Sequence, residues 1–227
     1  RATLLGISHH LDASQQARAR ARVTQVGRLH SGQAVSVRMQ PVMGKGVAAA
    51  FFMAVARTSI NSLVRIHADP GECLHHANQE LCGQNPLDLF VTVFLGILDT
   101  RTGELVYANA GHNPPYTVSA TTPPQPLPLT QGMALGVVPD LDYLTHTVQL
   151  RQGDMLLAYT DGVTEAFNAQ QQAFGESRLE DLLRQHVNLT PHALVQEVFE
   201  QLSDFAQAAP QSDDITVAAL RWGGETA

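Results

Sequence analysis

Lysine is nearly absent from this sequence. Lys45 is the only one in 227 residues, and the rest of the positive charge is arginine. Positive charge is short altogether, with 14 Lys and Arg against 21 Asp and Glu and a formal net charge of −7. A nucleic-acid binder usually carries a basic footprint, so that class is set aside. Cysteine is scarce as well. Cys73 and Cys82 have no partners at zinc-site spacing and read as buried or half-buried thiols in a reducing compartment. No apolar run approaches the roughly 20 residues of a membrane span, and no signal-peptide pattern opens the chain. These absences lead to the expectation of a cytoplasmic protein with no membrane span. Charged residues make up only 15%, while hydrophobic residues make up 44%, enough for a good-sized core and against wholesale disorder.

The first 34 residues differ from the rest. Ala13 to Val26 is rich in Ala, Gln and Arg, with a weak apolar stripe, and predicts a helical linker or docking segment over residues 1–34. The main domain is expected over 35–224, with 225–227 a tail. Ala34 to Met39 alternates as a strand does. Val47 to Ala68 predicts a long helix with small residues (Ala48, Ala49, Ala50, Ala54) on one face, able to lie close to a sheet, and bulk (Phe51, Phe52, Val55) on the other. Pro70 to Cys82 predicts a second helix with proline at a favoured early position.

Leu89 to Leu98 is β-branched and aromatic and reads as a buried strand; Asp99 to Gly103 turns the chain into a return strand, Glu104 to Asn109. Tyr116 to Ala120 reads as a strand before a proline-rich loop, Thr121 to Pro128. Leu144 to Leu150 and Asp154 to Tyr159 read as a strand pair joined across Arg151 to Gly153. Ser177 to Val187 and Pro191 to Ala206 are amphipathic helices, and Ile215 to Trp222 is the last strand. Hairpin connections dominate, so the class is α+β with mostly antiparallel sheets.

Four clusters look chemical. Gly44-Lys45-Gly46 opens a helix, where free backbone N–H groups suit an anion, although a tight turn explains it too. Asn109, His112 and Asn113 follow a strand, where they suit positioning of substrate or water; a loop stabilised by Asn side chains is the alternative. Asp161, followed by Gly162, ends an apolar strand and is exposed there as a ligand or as part of a turn. Asp213 and Asp214 are adjacent carboxylates before a strand, a pair that a hard cation or solvent must compensate.

Together and in this order the clusters resemble the SpoIIE/RsbU-like branch of the metal-dependent (type 2C, PPM) serine/threonine protein phosphatases. The matching segments are Val42-Met-Gly-Lys-Gly-Val-Ala-Ala-Ala50, Phe90-Val-Thr-Val-Phe94, Tyr107-Ala-Asn-Ala-Gly-His-Asn-Pro-Pro115, Leu135-Gly136, Gly153-Asp-Met-Leu-Leu-Ala-Tyr-Thr-Asp-Gly-Val-Thr-Glu165 and Asp213-Asp-Ile-Thr216. The resemblance implies two packed antiparallel sheets flanked by helices, an αββα sandwich. It also implies two Mn²⁺ or Mg²⁺ ions and hydrolysis of phosphoserine or phosphothreonine by metal-activated water. Asp161, with Gly162 beside it, and Asp213 are the implied metal ligands and catalytic residues. Asp214, Gly44, Lys45, Gly46, Asn109, His112 and Asn113 are implied to lie behind the ligands or on the substrate side. The implied partners are a phosphorylated STAS-type anti-sigma-factor antagonist, an upstream sensor or receiver domain and a second copy of the chain, in the setting of a stress response. A non-catalytic module that binds a phosphoprotein is the alternative.

The resemblance breaks at one place. The family's turn reads Gly-Asp-Val-Ser-Gly-Lys-Gly, and its aspartate bridges both metals; here Gln40-Pro41-Val42 precedes Met43. A Gly-Gly-Asp-x-x-Asp segment that should come before it is missing too. Either the metal site is degenerate, or a hairpin of about two dozen residues, an ordinary strand-turn-strand length, is missing between Pro41 and Val42. The acidic motifs retained elsewhere favour the missing hairpin.

Overall fold

The computed structural model describes residues 23–28, 33–41, 47–207, 209–211, 213 and 215–223. In chain order its elements are β1 (Val23–Arg28), β2 (Gln33–Pro41), α1 (Val47–Leu63), α2 (Pro70–Cys82), β3 (Val91–Asp99), β4 (Glu104–Ala110), β5 (Tyr116–Val118), β6 (Gln125–Pro126), β7 (His146–Gln149), β8 (Met155–Tyr159), α3 (Gly175–Gln185), α4 (Pro191–Ala206) and β9 (Val217–Arg221). Two antiparallel sheets with attendant helices make up two compact units, and the class is the expected α+β.

One unit holds residues 17–114 and 128–150, with a five-stranded sheet in the order β1-β2-β3-β4-β7 and helices α1 and α2. Side chains on a strand alternate between faces. Accordingly Val91, Val93, Leu95 and Ile97 of β3 share one core with Met53 and Ile60 of α1 and Leu74 and Leu81 of α2. Burying one such side chain is worth about 1.5–3 kcal/mol. Asp69 caps α2 by accepting from the Glu72 amide at 3.0 Å, and Pro70 occupies the first turn, where its missing N–H costs nothing.

The other unit's described strands form the sheet β6-β5-β8-β9, with α3 and α4. β8 reads Met-Leu-Leu-Ala-Tyr and is buried at every position, as befits a strand paired on both sides, with β5 and with β9. Leu157 and Tyr159 share their core with Leu179, Leu183, Leu194 and Val198 of the helices and Val217 of β9. Thr190 caps α4 by accepting from the Ala193 amide at 3.2 Å.

Several sequence expectations change. Residues 23–28 are not the end of a helix but strand β1, paired with β2. Val23, Thr24 and Val26 are β-branched, and the Ala/Arg run that suggests a helix stops at Arg22. The helical segment expected over 1–34 therefore gives way to sheet within its own bounds; residues 1–22 lie outside the described residues. α1 ends at Leu63 rather than Ala68, unwinding through turn bonds such as the His67 amide to Leu63 O, 2.8 Å. Its two faces also differ from expectation. Phe52 is buried with Met53, Ala56 and Ile60, while Phe51 and Ala54 are exposed. The expected pairing of Leu144–Leu150 with Asp154–Tyr159 does not occur. β7 joins β4 at one sheet edge, and β8 enters the middle of the other sheet. Composition accounts for the separation: His146, Thr147 and Gln149 suit an exposed edge, whereas β8 has no polar group before Tyr159.

Candidate active site

Asp161 is placed by the end of β8. The last regular rung of the β8–β9 ladder pairs Tyr159 with Val217. One residue on, the Thr160 amide donates to Thr216 O at 3.0 Å, and the Thr216 amide donates to Thr160 Oγ1 at 2.9 Å. The chain then turns. Val163 N donates to Thr160 O at 3.0 Å and Glu165 N to Asp161 O at 2.8 Å, while the Thr164 hydroxyl donates to Asp161 O at 3.2 Å. Gly162 and Val163 are buried in this turn, Asp161 is half-buried and Glu165 is exposed. Asp213, half-buried, precedes β9; its carbonyl accepts from Gln211 Nε2 at 2.7 Å.

The two expected ligands therefore reach one neighbourhood. The Glu165 carboxyl registers this: it is held above its ordinary value, first by partial loss of solvent, then by the charges on Asp161 and Asp213. Carboxylates gathered in this way suit a hard divalent cation, which takes oxygen ligands. The donor chemistry fits Mn²⁺ or Mg²⁺. The set is incomplete, because among the described residues no three His, Cys, Asp or Glu side chains form a group that could hold a metal ion. Asp214, Gly44, Lys45 and Gly46, named from the sequence, lie outside the described residues.

Asn109, His112 and Asn113 belong to the other unit and follow β4. Asn109 is buried and clasps His112 in both directions: its Nδ2 donates to His112 O, and its Oδ1 accepts from His112 N, each at 2.7 Å. Its own backbone is held by the Thr130 hydroxyl, which accepts from Asn109 N at 2.8 Å and donates to Asn109 O at 3.1 Å. Gly111 takes φ +71°, a left-handed conformation that glycine adopts at no steric cost, and this lets the turn close. His112 is buried, with Nδ1 3.1 Å from Thr92 Oγ1, and Asn113 is half-buried. Asn109 thus forms the turn that places His112 against β3. Both of its side-chain polar atoms are engaged by the His112 backbone.

The structure adds four residues that the sequence reading did not single out. Glu165 lies in the turn of Asp161, Thr160 and Thr216 fasten the strand ends, and Thr92 meets His112. All four lie inside the quoted motifs. For Thr160, Thr216 and Glu165 the signal available was their closeness in sequence to Asp161 or Asp213; for Thr92 it was only its place in the Phe90–Phe94 segment.

The family described as Stage II sporulation protein E (SpoIIE) matches residues 31–223, most of the chain. The chain belongs to the SpoIIE family. Among similar proteins, Protein IcfG of Synechocystis sp. is 29% identical over 212 residues, covering 79% of this chain and 32% of that protein. Phosphoserine phosphatase RsbU of Bacillus subtilis is 25% identical over 189 residues, covering 83% of this chain and 56% of RsbU. The chain thus spans about a third to just over half of these relatives. Among solved structures, the SiaA-PP2C domain of Pseudomonas aeruginosa superposes with a TM-score of 0.76 at 24% identity, covering 88% of this chain and 80% of that one. That likeness establishes the PP2C fold of this SpoIIE-family chain. No helix among its described residues is long and apolar enough to cross a membrane.

Proposed function

We propose that this SpoIIE-family chain is a metal-dependent protein serine/threonine phosphatase domain. The observation that carries the reading is the pair of hydrogen bonds between Thr160 and Thr216, which bring the segments bearing Asp161 and Asp213 to the same end of the β8–β9 ladder. Asp161 and Asp213 would hold the cations through their carboxylate oxygens, with Gly162 in the same turn. When bound, Mn²⁺ or Mg²⁺ supplies Lewis acidity and positive charge for the attack of water on the phosphorus. The turn bonds to the Asp161 carbonyl hold its backbone in place at the end of β8. The pair fastened by Thr160 and Thr216 keeps Asp213 within reach.

The substrate is a phosphoserine or phosphothreonine on a bacterial regulatory protein, of the kind that antagonises an anti-sigma factor. The name phosphoserine phosphatase for RsbU supports this choice. In this reading an upstream sensor or receiver domain controls the activity, a second copy of the chain pairs with the first, and the setting is cytoplasmic. On the missing-hairpin reading, residues that this sequence does not contain between Pro41 and Val42 would supply the remaining ligands.

A second reading has one observation of its own. Pro41 ends β2 and pairs with Val91, and Pro41 cannot supply the carboxylate that the family places there. A continuous chain with that proline would be a binding module for a phosphoprotein, without turnover.

Hydrolysis of p-nitrophenyl phosphate with and without Mn²⁺ separates the two readings. The phosphatase reading expects Mn²⁺-dependent turnover that Asp161→Asn abolishes. Equal rates for the wild-type and Asp161→Asn proteins, both folded and with Mn²⁺ in excess, would favour the binding module.

A further inference from the structure

We infer that the Thr160 hydroxyl is a positioning group that sets the spacing between Asp161 and Asp213; the inference rests on the phosphatase reading. An antiparallel ladder exchanges backbone N–H and C=O groups in pairs. At the rung after Tyr159–Val217 one of these groups is replaced. The Thr160 amide still donates to Thr216 O at 3.0 Å, but the return bond from the Thr216 amide goes to Thr160 Oγ1, at 2.9 Å. The Thr160 carbonyl accepts instead from Val163 N at 3.0 Å and opens the Asp161 turn.

The hydroxyl therefore does what the backbone carbonyl would otherwise do. It keeps the β9 side fastened at Thr216 while the β8 side leaves the ladder. Asp161 stands one residue beyond this fastening, and Asp213 stands three residues before Thr216. Both threonines are buried, Thr160 at 2% exposure and Thr216 at 6%, so water does not substitute for the bond. A change in this rung would shift the backbone on which both carboxylates stand, and with it their fit to a metal ion.

Thr160→Val keeps the side-chain shape and removes the acceptor; Thr160→Ser keeps the acceptor and removes the methyl group. Mn²⁺ binding to the wild-type protein and both variants is measured by titration calorimetry, at a temperature where circular dichroism shows all three folded. Hydrogen exchange at the Thr216 amide is followed in parallel. The inference expects Thr160→Val to bind Mn²⁺ about 10- to 100-fold more weakly, the range for losing a partner that orients a metal ligand. It expects faster exchange at Thr216 in that variant, and Thr160→Ser close to wild type in both measurements. Wild-type affinity in Thr160→Val, or equal losses in Thr160→Ser and Thr160→Val, would overturn it. Wild-type protein that takes up no Mn²⁺ would overturn the phosphatase reading first, and this inference with it. Should Thr160→Val fail to fold, Thr160→Cys, a weak acceptor of similar size, is judged by the same criterion.

Discussion

At the end of β4 the Asn109 side chain satisfies the backbone of His112 in both directions, whereas at the end of β8 the charges of Asp161 and Asp213 both bear on Glu165. The first arrangement is a clasp between the Asn109 side-chain amide and the His112 backbone, and these bonds form without any ligand. The second brings like charges into mutual range, which disfavours the charged forms unless positive charge arrives. Strand ends built from similar local parts, a polar residue, a glycine and a tight turn, can thus be organised for different purposes. One fixes a turn. The other, on the proposed reading, is completed by a metal ion.

The comparison breaks most directly at Asp161. Asp161→Asn leaves the turn's backbone bonds in place and removes a ligand charge. Mn²⁺-dependent phosphoester hydrolysis should fall by more than about 100-fold, beyond the usual cost of losing a residue that only orients a ligand. Steady-state rates at saturating Mn²⁺ check this.

The charged end also depends on a packed strand beneath it. Leu157 is fully buried on β8. Leu157→Ala should lower the unfolding free energy by about 2–5 kcal/mol, the range for large-to-small core changes, as read by urea denaturation.

The neutral end should break differently. Asn109→Ala leaves the N–H and C=O of His112 without their clasp. At about 1–3 kcal/mol for each buried group left unsatisfied, the melting temperature should drop by several degrees. Mn²⁺ uptake at the other end should persist, as calorimetry would show.

The smallest effect comes from Glu165. Its folded-state carboxyl is raised above the ordinary value, so over the pH range between the two the folded protein holds more protons than the unfolded one. Stability of the metal-free protein should therefore fall as pH rises through that range, because the ionised Glu165 is disfavoured in the fold. Glu165→Gln removes this slope, and the metal-free variant should melt slightly higher than wild type at neutral pH. Added Mn²⁺ should shrink or reverse the difference. Melting curves across the acidic range, with and without metal, test the sign.

Much of this was legible in the sequence, for identifiable reasons. Pro70 and the cap Asp69 mark α2, and Pro191 and Thr190 mark α4, because caps and early prolines act locally. Asp161 and Asp213 stand out as carboxylates at the ends of apolar strands. What the sequence hid depends on partners chosen at a distance. β7 and β8 are neighbours in the chain and look like a hairpin, yet each pairs with strands from elsewhere. The inward face of α1 is set by what covers it, so size alone misplaced Phe52, which is buried, and Ala54, which is exposed. Thr160 reads as one more polar residue until its hydroxyl is seen closing a rung of the ladder.

The central claim is that the β8–β9 end, and not the β4 end, is the part completed by a metal ion. Equilibrium dialysis against Mn²⁺, comparing the wild-type protein with Asp213→Asn and Asn109→Ala, tests it most directly. The account predicts saturable uptake by the wild-type and Asn109→Ala proteins and loss of that uptake in Asp213→Asn. Uptake by Asp213→Asn equal to wild type, with the fold intact, would contradict it.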